Sequence, residues 1–233
     1  MASDTSCGEV RFFEDFLEVA VADIPNISVL ADGAGTTECV AGSADGRISL
    51  VSGGASGGEK SAVTTKGLNW TAGNSWLKME TRLIIDDITD YTLFVGFGDA
   101  IASGDETPFT ISGDTEASGD HADNIGFYRD GDATTNVWRC MAQNTSSIKA
   151  NQELSSRFNP VAATPTTLSV YLSLDRKSAV WSIDGEEVYR IDANPTALVA
   201  AVDLVPGVWQ LDESTATTVE MDYLYCAKGR SAT

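Results

Sequence analysis

Residues 167–191 read TLSVYLSLDRKSAVWSIDGEEVYRI, and this stretch decides the fold. Thr167 to Leu174 reads as one strand, Ser178 to Ile183 as a second and Glu186 to Ile191 as a third. Only Asp184 and Gly185 separate the last two. A tight two-residue hairpin needs positive φ at its central positions, and Asp-Gly tolerates that conformation. The stretch is therefore an antiparallel meander.

The same signals recur on both sides of it. Trp76 to Ile85 alternates, with Lys78, Glu80 and Arg82 on one face and Leu77, Met79, Leu83 and Ile85 on the other, as a strand with one wet face does. Tyr91 to Gly98 is apolar on both faces and belongs in the middle of a sheet; Gly96 and Gly98 mark a bulge or a close approach. Asn124–Tyr128 and Asn136–Ala142 flank Arg129-Asp130-Gly131-Asp132 and read as a hairpin. Arg11–Leu17, Gly46–Val51, Gly207–Leu211 and Thr217–Ala227 supply further strands, and residues 99–123 form the longest polar insertion. Helical periodicity is nearly absent; only residues 194–204, NPTALVAAVDL, look mildly helical. Short strands at this spacing predict an all-β, two-sheet antiparallel sandwich, a single domain over residues 11–227, with an N-terminal arm (1–10) and a C-terminal tail (228–233).

The chain carries 34 acidic and 15 basic residues among 233, a net charge of -19. Nucleic acid and anionic membrane have the same sign, so neither is an expected partner. No stretch approaches the roughly 18 apolar residues of a spanning helix. Residues 1–20 hold Glu9, Glu14, Asp15 and Glu18 and show no basic start followed by an apolar run, so no secretory signal is expected. Cys7, Cys39, Cys140 and Cys226 form no CxxC pair; buried thiols in a reducing cytosol are expected, although Cys7 and Cys226 could meet in space.

Catalytic patterns fail on spacing. Glycoside hydrolysis with retention needs two carboxyls about 5 Å apart. The strand that could host an acid run has Arg82 where a second acid belongs, and Glu220-Met221-Asp222 lacks its third member because Tyr225 stands there. Glu80 reads as a cross-strand or ion-pair partner of Arg82 or another base. The one histidine, His121, lies in a polar loop and reads as exposed. Gly53 to Lys60 has glycines and a lysine but not the phosphate-loop order. Hard cations want several oxygen ligands, which makes Asp114, Glu116, Asp120 and Asp123, with Asn124, weak candidates for structural calcium; Asp86, Asp87 and Asp90 crowd a second loop. No other cofactor is expected. Of Trp70, Trp76, Trp138, Trp181 and Trp209, most lie in apolar runs, and Trp70, nearest a loop, is the sugar-stacking candidate.

Six segments, in order, resemble strands of the concanavalin-A-like (jelly-roll, laminin-G-like) sandwiches of tailed-phage structural proteins. They are Phe12-Phe13-Glu14-Asp15-Phe16, Trp76 to Arg82, Phe94-Val95-Gly96-Phe97-Gly98-Asp99, Asp123-Asn124-Ile125-Gly126-Phe127, Ser182 to Val188, and Glu220-Met221-Asp222-Tyr223-Leu224. The resemblance implies a non-enzymatic capsid decoration protein of the virion, assembled in the host cytoplasm. It would bind the major capsid protein, other virion proteins and copies of itself, with the segment before Arg11 and Lys228-Gly229-Arg230 as contact arms. The same fold also serves carbohydrate-binding modules, as on a tail fibre or an adhesin, which would show exposed aromatics near a concave sheet face with a calcium loop beside them. It serves glycan-degrading enzymes too, which would show a groove with two close carboxylates.

Overall fold

The computed structural model describes residues 9–18, 20–40, 46–53, 60–67, 69–89, 91–100, 109–112, 115–118, 121–131, 133, 135–212 and 216–229. Its strands are β1 (Glu9–Glu14), β2 (Ile27–Asp32), β3 (Thr36–Cys39), β4 (Ile48–Val51), β5 (Lys60–Thr65), β6 (Trp70–Thr71), β7 (Leu77–Ile85), β8 (Tyr91–Gly98) and β9 (Phe109–Ser112). They continue as β10 (Thr115–Ser118), β11 (Asn124–Asp130), β12 (Arg139–Asn144), β13 (Ser147–Glu153), β14 (Thr166–Leu172), β15 (Ala179–Ile183), β16 (Glu186–Ile191), β17 (Asp203–Asp212) and β18 (Thr218–Gly229). One sheet runs β16-β15-β14-β7-β18-β4-β3, with β1 also on β18; the other runs β13-β12-β11-β8-β17-β5-β2, with β6 on β17. All strand pairings are antiparallel. The expected two-sheet sandwich is therefore the observed one.

The core lies between the sheets. Leu77, Met79, Leu83 and Ile85 of β7 meet Tyr91, Leu93, Val95 and Phe97 of β8 and their neighbours, all buried. Trp181 spans this core, and its Nε1–H donates to the Gly126 carbonyl of the opposite sheet at 2.9 Å. The Asp184-Gly185 turn has φ of 51° and 79°, the two positive values its chemistry predicts. Tyr91–Gly98 is central and buried throughout, between β11 and β17. Its glycines mark close approach: a Cβ on Gly96 would stand 2.2 Å from the Ile125 carbonyl oxygen.

Several expectations change. β11 and β12 pair as the expected hairpin, but Arg129 and Asp130, read as part of its turn, belong to β11, and β12 starts only at Arg139. Gly131 serves packing instead: its N–H donates to Tyr91 O, and a Cβ there would lie 2.4 Å from Thr89 O. Residues 194–204 form no helix. Their amides bond to other segments (Asn194 to Lys177 O, Leu198 to Arg176 O, Ala200 to Asp123 Oδ1), and Leu198 and Val199 are buried by that docking. At the chain ends, Glu9 pairs with Gly229 and Val10 with Lys228, so these residues extend the first sheet. The rest of the arm, Arg230 and Cys7 lie outside the described residues. Cys39, Cys140 and Cys226 are free thiols.

Candidate functional site

The outer face of the first sheet carries a row of aromatic side chains. In register across β14, β7, β18 and β1 stand Tyr171, Lys78, Ala227 and Arg11, and beside them Ser169, Glu80, Tyr225 and Phe13. Phe13 is 60% exposed and stacks on Tyr223 at 5.9 Å between ring centroids, with the planes 28° apart. At the other end Trp76 lies 6.1 Å from Tyr171, which is exposed. Gly229 makes room for Trp76, because a Cβ there would sit 2.7 Å from the indole Nε1.

Charged groups interleave the rings. Lys78 Nζ bridges to Glu80 at 3.2 Å and sits 5.7 Å from the centre of the Tyr225 ring. Glu80 also accepts from the Tyr223 hydroxyl at 3.0 Å. Its basic partner is thus Lys78; Arg82 instead pairs with Asp222 and lies over the Tyr223 ring. Burial, reinforced by the negative charge of Glu80, pushes the Tyr223 hydroxyl up to about 12. This hydroxyl therefore stays a hydrogen-bond donor at any physiological pH.

The tyrosines face outward because of a bulge. The β18–β7 register shifts between Met221 and Tyr223. Before it, Val219 and Met221 point into the core; after it, Leu224 and Cys226 do. The bulge takes one residue, Asp222, out of the alternation, so Tyr223 and Tyr225 face outward although plain counting puts them on the side of Met221.

The residues singled out in the sequence fall elsewhere. Trp70 is 5% exposed, its ring packed 6.4 Å from Phe97 and 5.5 Å from Lys228 Nζ. What remains open of it lines a cavity of about 240 Å3 at the open edge of the sandwich. Asp123 is buried, and its Oδ1 accepts the N–H groups of Thr145 at 3.2 Å and Ala200 at 2.7 Å, clamping two loops. Asp114, Asp120 and the side chain of Glu116 lie outside the described residues, as does Asp90. Among the described residues no group of three His, Cys, Asp or Glu side chains could hold a metal ion. Asp86 and Asp87 cap turns: Asp86 Oδ1 accepts from the Thr218 and Asp87 amides, Asp87 Oδ1 from Thr89. His121 is fully buried, not exposed. It fits because Gly98 has no side chain (a Cβ there would be 2.1 Å from the imidazole), and it meets Trp209 edge-on at 5.4 Å. Nearby, burial raises the Asp99 carboxyl above its usual range.

The sequence matches no protein-family profile and no characterised protein. Solved structures do match. A LamA variant from Z. galactanivorans, solved with laminaritriose and laminaritetraose, superposes with a TM-score of 0.63 at 10% identity over 94% of this chain and 98% of that one. Peanut lectin gives 0.56 at 14% identity, over 94% and 97%. The fold is that of the lectin-like jelly rolls. A sialidase gives a TM-score of 0.59 at 13% identity, and this jelly roll spans 18% of its length. These identities show shared architecture alone. Lectins and an enzyme share the jelly roll, so the architecture by itself does not separate binding from turnover.

Proposed function

We propose that the chain binds carbohydrate across the outer face of its first sheet, without turning it over. The observation that carries this reading is the outward-facing aromatic row of exposed Phe13 and Tyr171 and half-buried Tyr223, Tyr225 and Trp76, interleaved with Lys78, Glu80 and Arg82. A pyranose has an apolar C–H face and a rim of hydroxyls. Flat aromatic rings suit the first and charged side chains the second. A soluble protein rarely leaves several aromatics together on one face without a partner. The lectins among the similar structures support the reading, as does the jelly roll solved with laminari-oligosaccharides. The carboxylates on this face are engaged by Lys78, Arg82 and Arg47, which suits hydroxyl recognition better than acid catalysis. A glycan array with laminarin among its probes tests the proposal. We expect specific binding, lost in the Tyr223→Ala–Tyr225→Ala variant; no binding to any glycan sinks it.

A phage coat subunit is the second reading. It rests on Val10, Phe13 and Leu17, which are 41%, 60% and 64% exposed near the start of the chain, where a neighbouring subunit would cover them. Sedimentation separates the two: a coat subunit assembles with capsids or with itself, and Leu17→Ser weakens that assembly while leaving glycan binding intact.

A further inference from the structure

The cavity beside Trp70 opens between the sheets, on the inner side of β1, where Val10 and Phe12 of β1 and Lys228 of β18 face Asn26, Lys66, Asn69 and Trp70. Its charge is the reverse of the molecule's. In a chain of net charge -19 its lining among the described residues holds Arg11, Lys66 and Lys228 and no carboxylate. Arg11 pairs with Glu9, outside the lining. Lys66 and Lys228 have no carboxylate within 4.0 Å among the described residues; Lys66 Nζ reaches only the Pro25 carbonyl, at 3.5 Å, and Lys228 Nζ the Asn69 carbonyl. An ammonium has three donors, so most of theirs stay available. Lys228 is also held over the Trp70 ring, which fixes its charge at the cavity wall.

From this, we infer that the cavity takes the acidic group of a charged sugar, a carboxylate or a sulfate ester, and that the glycan proposed above is therefore an acidic one. The inference rests on the carbohydrate reading. Two lysines lining one cavity, with no counter-charge among the described residues, suit an anion, since charge-assisted hydrogen bonds are the strong ones. The wall of Val10, Phe12 and Trp70 suits the ring that bears it. At about 240 Å3 the cavity is smaller than the roughly 300–1,000 Å3 of drug-sized sites, which fits one sugar unit rather than several. Arg11 joins the two places. It stands on the aromatic face two residues from Phe13, 65% exposed in its side chain, and it also lines the cavity. A glycan lying over Phe13 can thus turn around the β1 edge and set its charge between the lysines.

The test compares laminarin, carboxymethyl-laminarin and laminarin sulfate by titration calorimetry on the full chain. We expect the two acidic forms to bind about tenfold or more tightly than laminarin, one charge-assisted bond being worth about that factor. The preference should shrink as salt rises from about 0.05 to 0.5 M, because screening lengths fall below 10 Å over that range. Lys66→Gln with Lys228→Gln should abolish the preference and leave laminarin binding unchanged. The tighter of the two acidic forms names the acid. If acidic and neutral forms bind equally, or the double variant keeps the preference, the cavity is not the site, while the carbohydrate reading stands. Inorganic sulfate competing as strongly as laminarin sulfate overturns the sugar assignment. If none of the three binds and the glycan array is also blank, the carbohydrate reading falls and takes this inference with it.

Discussion

Phe13→Ala is the sharpest probe of the aromatic face, because most of its ring is committed to no packing. Full burial of a Phe side chain is worth about 1.5–3 kcal/mol. With 60% of Phe13 exposed, a ligand that covers the ring adds about three-fifths of that, roughly 0.9–1.8 kcal/mol. Truncation should therefore weaken glycan binding by about 0.9–1.8 kcal/mol, or roughly 5- to 20-fold. The remaining two-fifths of the ring, on Tyr223, contributes only about 0.6–1.2 kcal/mol to folding. The variant thus stays folded, and binding drops further than stability does. Titration calorimetry with the array's best glycan, beside urea denaturation, reads both. Binding within twofold of the parent chain, with the small stability loss present, means that the ligand does not cross Phe13, and the reasoning fails.

Gly96→Ala should be severe: the new methyl would start 2.2 Å from Ile125 O and 2.5 Å from Gly126 Cα, so the β8–β11 pairing must open. A loss of about 3 kcal/mol or more is expected by urea denaturation, against about 1–2 for Gly185→Ala, which has open space but φ of +79°; equal losses would refute the packing account. Asp99→Asn tests burial of a charge. The folded carboxyl is raised above its unfolded value, so the native state binds its proton more tightly and stability falls as pH rises through that window. The variant should be more stable than the parent at pH 7, with the gap closing as pH drops below the ordinary carboxylate range; a thermal-melt gap independent of pH argues against it. Burial likewise pushes the Cys140 and Cys226 thiols up, so neither should react with a thiol reagent at pH 8 until urea unfolds the chain; prompt labelling of either in the native state contradicts the fold.

The hairpin at Asp184-Gly185 was legible because its cause is local: two residues carry the turn and their neighbours carry the strands. Strands β7 and β8 were legible for the same reason, one by alternation and one by continuous apolarity. Strands such as β5 were not. Its sequence, KSAVTT, is half hydroxylic, and it is buried because β2 and β17 lie on either side, a fact no local window contains. The aromatic face was hidden more deeply. Phe13 and Tyr223 stack from opposite ends of the chain, and unbroken alternation along β18 would have put Tyr223 and Tyr225 on the same side as Met221. His121 was misplaced because a polar flank says exposed, whereas the space that holds it is made by Gly98, which lies far from it in sequence.

The β18 bulge has a genetic consequence. Side chains along a strand are read in twos, as codons are read in threes, so one inserted residue acts on a regular strand as one inserted base acts on a gene: everything downstream changes sides. The bulge is the suppressor of that shift. Met221 stands opposite Leu83 and Tyr223 opposite the next residue, Arg82, so Asp222 is passed over in the count. Removing Asp222 would leave Tyr223 and Tyr225 on the outer face and Leu224 and Cys226 in the core, whereas pulling the strand straight with Asp222 in place would exchange them. The aromatic face is held in frame by the bulge and would keep that frame through the loss of this one codon.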